Sequence, residues 1–290
     1  MALDAANQAV ALDIRPVAGA LGAEIHGIDL AHEADPNVWA AVRGALAEYG
    51  VIFFRDQDLT PEQHIAMAER FAPINVNRFF KAVEGYPQIA EVRKEPEQTT
   101  NIGSRWHTDH SYDQIPAMGS ILLARETPAY GGDTEFADMA LAFDNLSEGM
   151  KATLRTLNAV HSSRHVFGAK ADRPKDLANR LGNQAAATQD ALHPVVIRHP
   201  ESGREVLYVN ADFTLRFEGW TDAESKPLLD FLYAHAAQAE FTCRFRWANN
   251  SIAFWDNRRT WHKAINDYQG QRRLMHRITV EGVALHPAAA

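Results

Sequence analysis

The chain has 290 residues, 46% of them hydrophobic and 23% charged, with a formal net charge of −8, which is the composition of a soluble globular protein. The acidic balance excludes nucleic acid or an anionic membrane as main partner, because both need a clustered basic face, and no run approaches the roughly 20 apolar residues of a membrane span. The single Cys243 excludes a disulfide framework and a multi-cysteine metal site and points to a reducing compartment, the cytoplasm, while "MALDAANQAVALDIRP" lacks the basic start and apolar core of a secretory signal.

In chain order, "VAGALGAEIHGIDL" reads as extended chain, with Leu21, Ala23 and Ile25 alternating as in a half-buried strand. "NVWAAVRGALAEYG" places Val38, Trp39, Val42 and Leu46 at helical spacing and stops at Gly50, and "VIFF" follows as a short apolar strand. "TPEQHIAMAERFA" opens a helix with Thr60 as N-cap, Pro61 at the first position and Gln63 closing a capping box. From about residue 88 the pattern changes to short strands: "QIAEVR", "SILLARE", "TEFA", "PVVIRHP", "EVLYVN", "FTCRFRW", "IAFW" and "RRLMHRITV". "ESG" at 201–203 and "ANN" at 248–250 read as hairpin turns, and "TDAESKPLLDFLYAHA" as one long helix with Thr221 and Glu224 as its capping box. The polar, Ala-rich stretch 168–192 interrupts the strands as either a lid or an ordinary surface excursion. With no repeat and no interdomain linker, residues 1–290 read as one domain, helices added around a sandwich or jelly-roll β core.

The stretch "SRWHTDHSY" concentrates His107, Asp109 and His110. In an extended "RWHTD", His107 and Asp109 project from one face and His110 from the other. The pair alone is a short, common pattern and needs a third ligand. "IAFWDNRRTWHKA" supplies His262, after a short apolar strand and a polar run suited to a loop. Two His and one carboxylate form the facial triad of non-heme Fe(II), with coordination positions left open, whereas closed zinc sites take four protein ligands. In "QRRLMHRITV", Arg273, Met275, Arg277 and Thr279 share one strand face and His276 lies on the other as a packed residue. Two guanidinium groups facing an interior need anions, because buried charge must be paired. Carboxylates or sulfonates match them bidentately; the alternative is a solvated outward pair.

The ordered set W-H-T-D, G-G-D-T at 131–134, W-D-N-R six residues before a His, and Q-R-R-x-M-H-R resembles the Fe(II)/2-oxoglutarate dioxygenases of the TauD/TfdA (taurine and 2,4-dichlorophenoxyacetate dioxygenase) family, and the resemblance runs from "GALGAEIHGIDL" to "MHRITVEG". It implies an α+β fold with a double-stranded β-helix (jelly roll) core and surrounding helices. It further implies iron held by His107, Asp109 and His262, 2-oxoglutarate held by Thr134 and Arg273 with Trp255 lining its pocket, and O2 as co-reactant. The implied reaction couples decarboxylation of 2-oxoglutarate to succinate with hydroxylation of a positioned C–H. Asp109 also separates the chain from halogenase-like variants, which carry a small residue there.

Arg277 matches the family residue that takes the anionic head of the substrate. The sequence departs from the taurine pattern, since the polar contacts of taurine dioxygenase align with Asn77 and Phe80 and an Asn before the metal strand is replaced near Gly103. "VHSSRHVFG" looks closer to the phenoxypropionate dioxygenases, so that Phe80, Val166, Phe167 and Phe213 would line an apolar pocket, with plain core packing as their other reading. His110 is kept as a possible substrate contact. The expected partner is a small organic anion, a sulfonate or an aryloxy or alkyl carboxylate, and the chain is expected to form a homo-oligomer, dimer or tetramer. The alternatives are a same-family oxygenase acting on an amino-acid derivative, a betaine or a natural-product precursor, and a non-catalytic β-barrel binding protein.

Overall fold

A computed structural model describes residues 10–171, 174–177 and 180–288. Its frame is a nine-stranded sheet. The order is Asp13–Pro16, Ala23–His26, Val51–Phe54, Ile252–Asp256, Gly119–Glu126, Arg273–Val280, Tyr86–Lys94 and Ala82–Val83, with Ile74–Asn75 pairing from the side onto Arg273–Val280. Ala23–His26 and Val51–Phe54 run parallel, and the other paired strands of this sheet run antiparallel. A three-stranded sheet of Thr242–Phe245, Thr134–Asp138 and Thr260–Ala264 lies against one of its faces, and two smaller three-stranded sheets complete the β structure.

Side-chain alternation divides the large sheet between two cores. Ile121, Leu123, Ile278, Ile52, Phe54 and Phe254 pack with Val38, Trp39, Val42 and Leu46 of the helix Pro36–Tyr49 and with Met67 and Ala68 of the helix Pro61–Glu69. The opposite parity, Leu122, Ala124, Phe53, Trp255 and Met275, packs with Phe136, Cys243 and Phe245 of the facing sheet. Each fully buried Leu, Ile or Phe contributes roughly 1.5–3 kcal/mol of burial, so a one-residue slip, which turns every side chain to the other face, is strongly disfavoured. The register that results sets Arg277 opposite Leu122 and Met275 opposite Ala124. Arg273 and Arg277 therefore enter the interior between the sheets, as their shared parity implies.

The helices begin and end as their sequences dictate. Asp35 caps Pro36–Tyr49 by accepting from Asn37 N–H, and Gly50 stops that helix at φ 72°. Both capping boxes form, Thr60 with Gln63 and Thr221 with Glu224. Among the described residues, no helix is long and apolar enough to cross a membrane.

Three expectations change. "ANN" is a turn but no hairpin, because Thr242–Phe245 pairs with Thr134–Asp138 while Ile252–Asp256 pairs with Val51–Phe54 and Gly119–Glu126, so the turn carries the chain from one sheet to the other. The stretch 168–192 closes with the strand Asp190–Pro194, paired to Asn158–Ser162. Its described middle is no plain surface excursion: Leu181 and Ala187 are buried, Asp176 accepts from Thr99 and Thr100 N–H, and Arg180 donates to Thr100 C=O. Residues 172, 173, 178 and 179 of that stretch lie outside the described residues. The strands Asn158–Ser162 and Thr214–Phe217 were not legible as strands, because His161, Ser162 and Thr214 are buried polar groups and interrupt the apolar pattern.

Candidate active site

Residues around His107 are extended, and His107 and His262 clamp each other through the backbone. His107 N–H donates to His262 C=O at 3.1 Å and His262 N–H to His107 C=O at 2.8 Å. His262 lies inside the strand Thr260–Ala264, just after the polar run 257–259, which forms the turn its sequence suggested. The chain then turns at Asp109, and His110 adopts φ 62°, a left-handed conformation uncommon outside glycine. Strand parity therefore does not extend to His110; the turn separates it from the ligand set.

One donor atom each from His107, Asp109 and His262 falls within 4.8 Å of the others. His107 Nε2 lies 3.9 Å from Asp109 Oδ1, and His262 Nε2 lies 3.9 Å from Asp109 Oδ2. His107 Nδ1 sits 2.8 Å from Arg105 C=O, so this nitrogen carries the proton and donates, leaving the Nε2 lone pair for a metal. Ser120 Oγ–H donates to Asp109 Oδ2 at 2.8 Å and fixes the carboxylate. Burial works to raise the Asp109 pKa, but the Arg277 guanidinium, with His262 and His107, holds it well below the usual carboxylate range. Burial, and then His107, pushes His262 well below the ordinary histidine value. Two imidazole nitrogens and an ionised carboxylate thus face one point as donors. Gly103, at φ 73°, lets the preceding loop approach, since a Cβ there would stand 3.1 Å from His107 Cε1.

A cavity of about 340 Å³ reaches from this triad, and His107, Asp109, His110, Thr134, Trp255, His262, Arg273 and Arg277 all line it, together with Asn77, Phe80, Val166, Phe167 and Phe213. At one end Arg273 is buried, with Nε and Nη2 lacking any partner. Its guanidinium lies 5.7 Å over the ring of Trp247, whose Nε1–H donates to Thr134 Oγ1 at 3.0 Å. The G-G-D-T turn makes the room: a Cβ on Gly132, at φ 68°, would meet Arg273 Cδ at 3.3 Å. Trp255 packs its ring 4.6 Å from His262. A buried guanidinium without a carboxylate is costly unless a ligand anion completes it, so this end suits one carboxylate of a dicarboxylate.

At the other end the Arg277 guanidinium lies 4.5 Å over the Phe80 ring. Phe79 and Phe167 stack at 4.3 Å, and Tyr112 and Phe213 meet edge to face at 4.8 Å, which gives this end apolar walls. Asn77 is only partly free for a ligand, because its Oδ1 accepts from Phe79 and Phe80 N–H. Sequence reasoning missed Tyr112, Ile102, Leu177, Leu181 and Asp212, which also line the cavity. Tyr112 stands in the stretch "SRWHTDHSY", two residues after His110, and could have been included; Leu177 and Leu181 were hidden in the Ala-rich stretch.

The profile of the Taurine catabolism dioxygenase TauD, TfdA family matches residues 13–279. The chain is 34% identical over 284 residues to the alpha-ketoglutarate-dependent sulfate ester dioxygenase of Pseudomonas putida, covering 97% of this chain and 93% of that one. It is 32% identical over 291 residues to the (S)-phenoxypropionate/alpha-ketoglutarate-dioxygenase of Sphingobium herbicidovorans, covering 94% of this chain and 96% of that one. Among solved structures, a taurine dioxygenase from Burkholderia xenovorans superposes with a TM-score of 0.81 at 34% identity, covering 95% and 93% of the two chains.

Proposed function

The chain belongs to the TauD/TfdA family of 2-oxoglutarate-dependent dioxygenases, and we propose that it hydroxylates a small organic anion with an apolar body, a sulfate ester, sulfonate or aryloxy or alkyl carboxylate. The observation that carries this reading is the buried Arg273 with two unpartnered nitrogens at one end of a cavity whose other end holds a second arginine beside aromatic walls. Two anions, one at each end of the triad, answer that charge.

In this reading His107, Asp109 and His262 hold Fe(II), which when bound supplies the activation of O2 needed to oxidise an unactivated C–H. Arg273 and Thr134 anchor the far carboxylate of 2-oxoglutarate, and Trp255 shapes that end. Arg277 takes the substrate's acid group, and Phe80, Phe167 and Phe213 exclude water and orient the apolar body. The balance is substrate C–H, 2-oxoglutarate and O2 giving the alcohol, succinate and CO2. Hydroxylation on a carbon bonded to a sulfate or ether oxygen gives an unstable product, which releases that oxygen's group and leaves a carbonyl compound. The facing sheets are read as a double-stranded β-helix. A cytoplasmic location and a homo-oligomer belong to the same reading, and light scattering checks the latter.

The test is succinate release across sulfate esters, sulfonates and aryloxyalkanoates, with anaerobic addition of Fe(II) and then 2-oxoglutarate to look for the visible band of the chelate. A folded protein with no band and no succinate would return the chain to a binding role. Turnover confined to amino-acid derivatives would replace the substrate class.

A further inference from the structure

Two segments meet the substrate end of the cavity, a third packs against the second of them, and one carboxylate outside the cavity joins all three. The segment 77–80 supplies Asn77 and Phe80, the turn 109–113 supplies Asp109, His110 and Tyr112, and the strand Asp190–Pro194 runs behind. Arg78 reaches from the first segment and donates through Nη2 to both carboxylate oxygens of Asp113, at 2.6 Å each. His110 Nδ1 lies 3.0 Å from Asp113 Oδ2, and the Asp113 N–H donates to His110 C=O at 3.0 Å, closing the turn that holds His110 at positive φ. From the third segment, His193 Nε2 meets Asp113 C=O at 3.0 Å. No other carboxylate among the described residues pairs with Arg78 or His110.

We propose that Asp113 is a positioning residue that, by gripping Arg78 and His110 together, fixes how segment 77–80 closes on the substrate's anionic end and so sets which anions are accepted. This rests on the proposed role of Arg277 as head-group anchor. Phe80 is the link, since its ring underlies the Arg277 guanidinium and its backbone N–H is tied to Asn77 Oδ1 two residues from the Arg78 bridge. Without Asp113, Arg78 loses its counter-charge and His110 loses the acceptor that orients its ring. The segment 77–80 can then shift against residues 110–113, while His107 and His262 are held by their own backbone bridge and Asp109 by Ser120 Oγ. Asp113 does not line the cavity and touches no reacting group.

The experiment uses the full chain with hexyl sulfate, measuring succinate and aldehyde side by side for wild type, Asp113→Asn, Asp113→Ala and Arg78→Gln. The expected result is a rise in KM for hexyl sulfate of about tenfold or more, consistent with losing a charge-assisted contact. Succinate should exceed aldehyde, and the KM for 2-oxoglutarate and the anaerobic Fe(II) chelate band should stay as in wild type. The double variant Arg78→Gln/Asp113→Asn should be no worse than the weaker single one, because both cut the same link. If Asp113→Ala does not fold, the half-buried Arg78→Gln decides alone. KM values within twofold of wild type, or equal losses for hexyl sulfate and 2-oxoglutarate, overturn the positioning role. A wild type that turns over no hexyl sulfate and forms no chelate fails at the earlier reading instead.

Discussion

The Arg277 guanidinium stands 3.3 Å from both carboxylate oxygens of Asp109 through the same nitrogen, Nη1, while its Nε finds no partner. One arginine thus neutralises a carboxylate of the triad and still has donors to spare. Under the proposed roles, Arg277→Gln removes the head-group charge beside the triad and leaves the cosubstrate end intact. The expected outcome is a fall in kcat/KM for the anionic substrate of about 100-fold, the scale of one or two charge-assisted hydrogen bonds at roughly 1.5–3 kcal/mol each. The KM for 2-oxoglutarate should change little. Steady-state succinate assays with each reactant varied in turn separate the two, and equal effects on both would contradict the division of labour.

Arg273 makes the opposite case. Burial lowers its pKa, with the Tyr268 and Asp133 side chains working the other way, and among the described residues no carboxylate binds it directly. Arg273→Lys keeps a point charge but loses the planar fork, and should raise the KM for 2-oxoglutarate about 10–100-fold on the same hydrogen-bond scale. Arg273→Met removes a buried, unpaired charge, so the cosubstrate-free protein should melt at the same temperature as wild type or higher. Addition of 2-oxoglutarate with Mn(II) should then no longer raise the melting temperature beyond the metal alone. Thermal melts of both proteins with and without cosubstrate check this; an undiminished shift in the variant would place the carboxylate elsewhere.

Much of the site could be read from short patterns, because its chemistry depends on residue types at fixed strand spacing. His107 and Asp109, and Arg273 and Arg277, are pairs of this kind, and the structure brings all four to one cavity with His262. What sequence misjudged came from buried polarity. The run Asn257, Arg258 and Arg259 before His262 is polar and reads as exposed loop, yet all three are buried. Asp256 lies 2.6 Å from Arg258 Nη2 and Asp138 lies 2.6 Å from Arg259 Nη2, and both aspartates come from strands. Arg259 finds Asp138 far along the chain, and Arg258 adds Glu201 to its neighbour Asp256, so their burial cannot be told from solvation without the fold. The same reason hid His161 and Ser162 in a strand. The apolar walls were only half legible, since Phe80, Phe167 and Phe213 are aromatic anywhere, and only folding sets Tyr112 and Leu181 against them.

His64 carries a pH dependence that is independent of the metal site. It is fully buried in the helix Pro61–Glu69, both ring nitrogens lack a partner, and burial, then Arg125 and His276, lower its pKa to about 3. His276 is lowered to about 4 by burial and Arg125, and accepts from Arg125 Nε at 3.3 Å, which needs its neutral form. A histidine whose folded pKa is depressed contributes its full stability above the unfolded value near 6.5, and loses it as pH falls toward the folded value. For His64 the loss should begin below about pH 6.5 and reach on the order of 3 kcal/mol by pH 4. Urea midpoints measured between pH 8 and 4 should fall accordingly, and His64→Phe should flatten the slope. A variant with the wild-type slope would assign the acid sensitivity to other groups.

Cys243 offers a chemical probe of how the facing sheet opens. The thiol is buried in the strand Thr242–Phe245, and burial, with the Asp138 carboxylate behind it, pushes its pKa up to about 12. Since the thiolate is the nucleophile, a disulfide reagent at pH 8 should find almost no reactive sulfur in the native protein and one per chain in urea. The Cys243 Sγ packs beside Gly22 in the core shared with Phe53, so labelling must wait for the facing sheet, where Cys243 pairs opposite Phe136 of Thr134–Asp138, to lift from the large sheet. That partner strand begins at Thr134, on the wall of the cosubstrate end. A ligand bound only to the closed form lowers the open population in proportion to its occupancy. Under the proposed roles, 2-oxoglutarate with Mn(II) should slow Cys243 labelling at least tenfold in wild type and have no such effect in Arg273→Met. Equal rates with and without cosubstrate in wild type would mean that the strand opens without disturbing the Thr134 end of the cavity.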